Sequence, residues 1–152
     1  MRIQISCRYR KNTDTLKSVS AGLTRAAGLL DNGTKLFLAF VGDGDIRKLN
    51  ATFKSSNRPT NVLSFETCGV DPEDCALTLG EIVVSVDTAK REALRAGMPL
   101  RDRLEELVVH GMVHLLGYDH TIGRAESAKM RARERLLLRR LRTRDKRPGK
   151  RG

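Results

Sequence analysis

The sequence predicts an α+β domain with one mixed sheet of about four strands and about five helices packed on it. Three observations carry that expectation. The 152 residues suffice for one domain and one sizeable core. Segments of period 2 or unbroken apolar character alternate with segments of period 3.6. Read along the chain, their order is β-α-β-α-β-β-α-α-α, which suits a single sheet with helices laid on it.

Each element has a local reason. Ile3, Ile5 and Cys7 alternate with polar residues, as one strand face does. From Asp14 the period lengthens, and Leu16, Val19, Leu23, Ala26, Ala27 and Leu30 share a helical face. Asp31-Asn32-Gly33 is expected to close that helix, since Asn and Gly tolerate the left-handed conformation of a C-cap. Residues 35–41 are a compact apolar run, the pattern of a buried strand. Gly42-Asp43-Gly44-Asp45 punctuates the chain, and Asp45 is the expected N-cap of a short helix through Phe53 that Pro59 stops. No Gly-Lys-Ser/Thr follows, so this is not a phosphate loop. A third strand is expected over 61–65 and a fourth, β-branched, over 80–86, joined by a loop holding Gly69 and Pro72. Helices over about 87–96, 100–116 and 123–142 complete the domain.

Charge is distributed unevenly. The net charge is +11, of which residues 131–152 contribute +9 and the other 130 residues +2. A basic terminal segment on a nearly neutral body suits a polyphosphate partner. With four Phe, two Tyr and no Trp, a surface made mainly of stacked aromatics is not expected. No apolar stretch approaches the roughly 20 residues of a membrane span, and the N-terminus lacks a signal-peptide pattern. Cys7, Cys68 and Cys75 are an odd number of thiols. The expected setting is therefore the reducing cytoplasm, with Cys68 and Cys75 as ordinary loop thiols rather than metal ligands.

The chemistry concentrates in His110-Gly-Met-Val-His114-Leu-Leu-Gly117-Tyr-Asp-His120, which holds all three histidines. Positions 110 and 114 share one helical face, and Gly117 can turn the chain so that His120 returns as a third donor. Three imidazoles are a good zinc set with the fourth position left open, as in catalytic rather than structural sites. The spacing matches the ligand frame of the metzincin proteases, whose general base is a Glu directly after the first His. Here that residue is Gly111, so peptide hydrolysis is disfavoured. Glu105 and Glu106 remain open as substitutes from the preceding turn. Asp119 either orients an imidazole or holds the turn, and Glu134 either pairs with an arginine or reaches the site.

This segment resembles the signature of the bacterial rRNA maturation endoribonucleases, the YbeY family. Asn50 with Pro59-Thr60-Asn61-Val62-Leu63-Ser64-Phe65, Leu79-Gly80-Glu81-Ile82-Val83-Val84-Ser85, and Glu126…Met130…Glu134 match it in order. The resemblance implies a zinc-dependent, single-strand-specific endoribonuclease acting at the 3′ end of small-subunit rRNA and in ribosome quality control. One zinc ion, or another divalent metal, would sit on His110, His114 and His120 at the end of the penultimate helix. The implied partners are single-stranded RNA, the ribosome and ribosome-associated proteins, with no membrane. Residues 1–143 would form the catalytic domain and 144–152 a basic, disordered tail.

The sequence departs from the family at one functional position. The family's catalytic Arg follows an aromatic three residues after the Asn; here Phe53 is that aromatic and Lys54 follows it. Lys keeps the charge but loses the planar fork that grips a phosphate. Arg58, four residues later, stands where the family often has Lys. Lys54 and Arg58 are thus the catalytic candidates. The rival expectations are a zinc metallopeptidase-like hydrolase and a non-catalytic, zinc-stabilised rRNA-binding module.

Overall fold

The structure, a computed structural model, describes residues 1–28, 33–116 and 124–145. The elements are β1 (Arg2–Cys7), α1 (Thr13–Ala27), β2 (Thr34–Val41), α2 (Asp43–Lys54), β3 (Val62–Val70), β4 (Leu77–Ser85), α3 (Val86–Ala96), α4 (Leu100–Leu115) and α5 (Arg124–Asp145). The four strands form one mixed sheet in the order β1-β2-β4-β3. β1, β2 and β4 run parallel, and β3 pairs antiparallel with β4 as an edge strand.

The two central strands carry apolar runs, Leu36–Val41 in β2 and Ile82–Val84 in β4, where both sheet faces are covered. Leu36, Leu38, Phe40, Ile82 and Val84 face α1, α3, α4 and α5 in the main core. Val41, Leu63 and Val83 face the other way, onto Ile46 of α2. The face predicted for α1 is the one buried, at Leu16, Val19, Leu23 and Ala27. Helix α4 is buried on most of its circumference, from Leu104 through Val113, so it forms the spine of the main core. None of the described helices is long and apolar enough to cross a membrane.

Several boundaries differ from those expected. Helix α1 ends at Ala27 with Gly28 as its C-cap; Leu30, Asp31 and Asn32 lie outside the described residues. Helix α2 begins at Asp43, not after Asp45, because the Asp87 carboxylate accepts the Asp43 N–H at 2.9 Å. The same helix ends at Lys54, where Ser55 takes a left-handed φ of 55°, before Pro59 is reached. Strand β3 runs on through Gly69 to Val70, because β4 begins at Leu77 and offers partners that far. Gly80 accommodates a close approach there: a Cβ would lie 2.2 Å from the Phe65 carbonyl oxygen. Helix α5 continues to Asp145, two residues into the expected tail, and residues 146–152 lie outside the described set. Cys75 is an exposed thiol in the β3–β4 turn, whereas Cys68 lies on β3 and its side chain is outside the described set.

Where α2 and α3 begin, each helix start is held by an acid from the other. Asp87 caps α2, while Asp43 accepts from Ser85 Oγ at 2.7 Å, Thr88 Oγ1 at 2.6 Å and Arg91 at 2.7 Å. The Tyr9 hydroxyl donates to Asp87 at 2.7 Å, and burial with that hydrogen bond pushes its pKa up to about 12. Burial alone would raise the Asp43 carboxyl. The hydrogen bonds from Thr88, Ser85 and Arg91, with the Arg91 charge, outweigh it and hold the group below 3.8. A depressed carboxyl stabilises the fold above its unfolded pKa and loses that contribution as pH falls through its folded value. Asp43→Asn, which resembles the protonated acid, should therefore cost about 1–2 kcal/mol at pH 7. In urea denaturation the gap to the parent should shrink below pH 3.8. An equal gap at both pH values would show that the Asp43 charge is not what matters.

Candidate active site

Two histidines project from the last turns of α4 toward α5. Being four residues apart, they stack along one helical face, with ring centroids 4.7 Å apart and planes at 82°. Their Nε2 atoms lie 3.2 Å from each other, so both nitrogens address one small volume. His110 Nδ1 donates to Glu134 Oε1 of α5 at 2.7 Å. That bond fixes the tautomer, putting the hydrogen on Nδ1 and leaving the Nε2 lone pair for the shared volume. Glu134 thus reaches the site rather than an arginine. It does so because Leu137 and Leu141, on its own helical face, are buried in the main core and turn it toward α4.

His110 opens onto a cleft of about 420 Å³ between α4, α5 and the start of β3, lined among others by Asn61, Val62, Arg103, Glu106 and Glu134. Arg103 on its wall bonds Glu106, which also lines it, at 3.0 Å, and Glu92 of α3 at 2.9 Å. Asn61 adds a contact to Glu92 at 3.4 Å. Of the two glutamates left open by the sequence, Glu106 lines the cleft one turn before His110. Glu105 is buried and pairs with Arg101 at 3.2 Å, away from it.

Gly111 explains why a metzincin base cannot sit where the spacing would put it. Its Cα faces the sheet, and a Cβ would lie 3.0 Å from both Ile82 Cδ1 and Ser64 Oγ. A side chain at 111 would enter the core instead of the cleft. Ser64 finds its role here as a small residue under α4, beside the fully buried Ile82.

The structure brings His110 and His114 together and gives them two of the three nitrogens that a metal ion would need. Among the described residues no three His, Cys, Asp or Glu side chains form a metal-binding group. His120, with Gly117 and Asp119, lies outside those residues. The donor chemistry present fits a borderline cation such as zinc, for which imidazole nitrogens are preferred ligands, His110 being oriented by a carboxylate. Lys54 and Arg58 stand elsewhere. Lys54 ends α2, with Nζ 5.9 Å from the centre of the Phe65 ring, and Phe65 packs on the α2 face of the sheet. Arg58 is exposed on the loop between α2 and β3.

That loop is anchored by a residue whose role the sequence did not disclose. Asn50 is buried on α2; its carbonyl accepts the N–H of Ser55 and of Ser56, and its Nδ2 donates to the Arg58 carbonyl at 2.9 Å. It sets the path of residues 55–58 from α2 toward the cleft rim at Asn61. Its only sequence signal is a polar side chain on the buried face of α2.

The sequence pattern of the family described as Endoribonuclease YbeY matches residues 4–142. The chain belongs to the YbeY endoribonuclease family. Among curated YbeY endoribonucleases, that of Aquifex aeolicus is 37% identical over 141 residues, covering 92% of this chain and 91% of its own. That of Geobacter metallireducens is also 37% identical, over 145 residues, covering 91% and 94%. A solution structure from Thermotoga maritima superposes with a TM-score of 0.66 at 26% identity, covering 98% of this chain and 99% of its own. The α+β architecture is thus that of a solved relative, and the histidine pair with the cleft that His110 lines is the candidate active site of a YbeY-family endoribonuclease.

The packing at Gly111 makes a direct prediction. Alanine there gains about 1 kcal/mol of helix propensity. Overpacking should cost about 1–3 kcal/mol and win, because the fully buried Ile82 meets the added methyl through two of its carbons, at 3.0 and 3.1 Å. Urea denaturation of Gly111→Ala should show a lower midpoint with an unchanged slope; a midpoint at or above that of the parent would place residue 111 away from the sheet.

Proposed function

We propose that this protein is a zinc-dependent endoribonuclease that cuts single-stranded RNA, acting at the 3′ end of small-subunit rRNA and in ribosome quality control in the cytoplasm. The observation that carries the reading is the pair of Nε2 atoms at 3.2 Å, with His110 oriented by Glu134 beside a cleft, in a YbeY-family chain. One ion would sit on His110, His114 and His120; another divalent metal is the alternative. Zinc supplies Lewis acidity, activating water near pH 7 and offsetting charge on the scissile phosphate.

The chain's own residues contribute the rest. Glu134 holds the His110 proton on Nδ1 and keeps the ring turned toward the shared volume. Arg103 neutralises Glu92 and Glu106, which lowers the repulsion an incoming phosphate would meet along the cleft. Lys54 from the end of α2 and Arg58 from the loop that leads to the cleft rim offer cations to phosphate oxygens. Exposed Arg131, Arg135 and Arg139 on α5 extend the basic surface for an RNA backbone, with ribosomal particles and their associated proteins as the setting. Gly111 opposes the peptidase reading, since its position faces the core.

The test pairs metal-loaded protein with single-stranded RNA and with casein, each beside a chelated control. RNA alone should be cut, and only with metal. His114→Ala should lose metal and cleavage together. Glu134→Ala should weaken metal affinity about 10–100-fold, as expected for the partner of a ligating imidazole. Stoichiometric zinc retained by His114→Ala would refute the site, and metal-bound protein that leaves RNA intact would favour the non-catalytic rRNA-binding module.

Lys54→Ala and Arg58→Ala should both keep the metal, and at least one should lose most cleavage. Lys54→Arg should maintain or raise the rate, because the planar fork is restored. Parent-like cleavage by both alanine variants would remove these residues from the mechanism.

A further inference from the structure

Phe53 is out of place for a large aromatic. It is 62% exposed, while Phe40 is fully buried. It stands at the end of α2, one residue before Lys54, and meets the Phe65 ring edge-on at 5.4 Å with planes at 68°. Lys54 Nζ lies 5.9 Å from the centre of that same Phe65 ring. Residues 47–58 hold Arg47, Lys48, Lys54 and Arg58 and no acid, and all four cations are exposed. An exposed ring within a patch of cations matches the chemistry of single-stranded nucleic acid, in which flat bases alternate with phosphates. The next residues, 55–61, are tied down by Asn50 and lead to Asn61 on the rim of the histidine cleft.

We infer that Phe53 is a stacking platform for one unpaired nucleobase of the bound RNA, with Lys54 on a neighbouring phosphate. The strand would pass from this platform along residues 55–61 to the cleft. Phe65 packs against the Phe53 ring, and the 62% exposure of Phe53 leaves ring surface for the base. Stacking is tolerant of sequence, because every base has a π-face, so the platform selects for unpaired bases and not for one base. A duplex, whose bases are already stacked, cannot use it. The inference rests on RNA being the substrate and adds a residue that favours single strands.

Because the chain has no Trp, Phe53→Trp creates a unique fluorescent reporter. With chelator present, a ten-residue oligoadenylate should quench its emission, whereas inorganic polyphosphate should bind without quenching. Phe53→Ala should bind the oligoadenylate about tenfold more weakly at fixed salt, with Phe53→Tyr restoring affinity. Because the ring is exposed, thermal unfolding of Phe53→Ala should match the parent. Binding without quenching, or parent-like affinity in Phe53→Ala, would overturn the platform while leaving the nuclease reading intact. A parent that binds no RNA would overturn both. A concentration-dependent change in size for Phe53→Ala, with RNA affinity unchanged, would assign the ring to a protein interface and overturn the proposal.

Discussion

The 2.7 Å bond from His110 to Glu134 is the contact on which the site depends, because it joins α4 and α5, whose buried faces share one core. Helix α4 is fixed by burial on most of its circumference. Among the described residues, helix α5 is seated along Leu137 and Leu141, with Leu138 packed beside them. With both faces seated, the carboxylate meets Nδ1 and the two Nε2 atoms turn to one volume. A helix rotation of a single residue, about 100°, would remove Glu134 from the imidazole altogether. Function at this site is therefore a consequence of core packing around α4.

The sheet adds a second constraint from below. Ile82 and Ser64 press against α4 at Gly111, so the helix lies close enough to β3 for the cleft to have a floor. The same closeness denies residue 111 a side chain and with it the base that a peptidase would need. Strand β3 is at the sheet edge, so its beginning is open to the cleft and the preceding loop remains accessible. Asn50 gives that loop a defined path. The two faces of the sheet are thus joined at one edge: the histidines lie on one face and the Phe53–Lys54 cluster on the other.

Much of this was legible in the sequence, and the losses have physical causes. The period-3.6 face of α1, the apolar runs of β2 and β4, and the shared face of His110 and His114 follow from spacing alone. The start of α2 was misplaced because its cap comes from Asp87, 44 residues away, and no local pattern reports a distant cap. The hairpin extension of β3 to Val70 was missed because pairing with β4 overrides the turn-forming character of Gly69. Glu134 was recognised as near the site or near an arginine; only the rotation of α5, set by Leu137 and Leu141, decides between them. The role of Asn50 stayed hidden, since a single buried polar side chain has no periodicity. The third histidine and the turn that carries it lie outside the described residues, so that expectation stands as the sequence made it.

In the proposed function His110, oriented by Glu134, and His114 would hold a metal ion for RNA cleavage. Anomalous diffraction from crystals of the full chain grown with zinc, collected at the zinc edge, tests it most directly. The account predicts one strong peak within coordination distance, about 2.0–2.1 Å, of both Nε2 atoms, with His120 as a further ligand. A peak at the cysteines or elsewhere on the surface, with none between these two imidazoles, would contradict it.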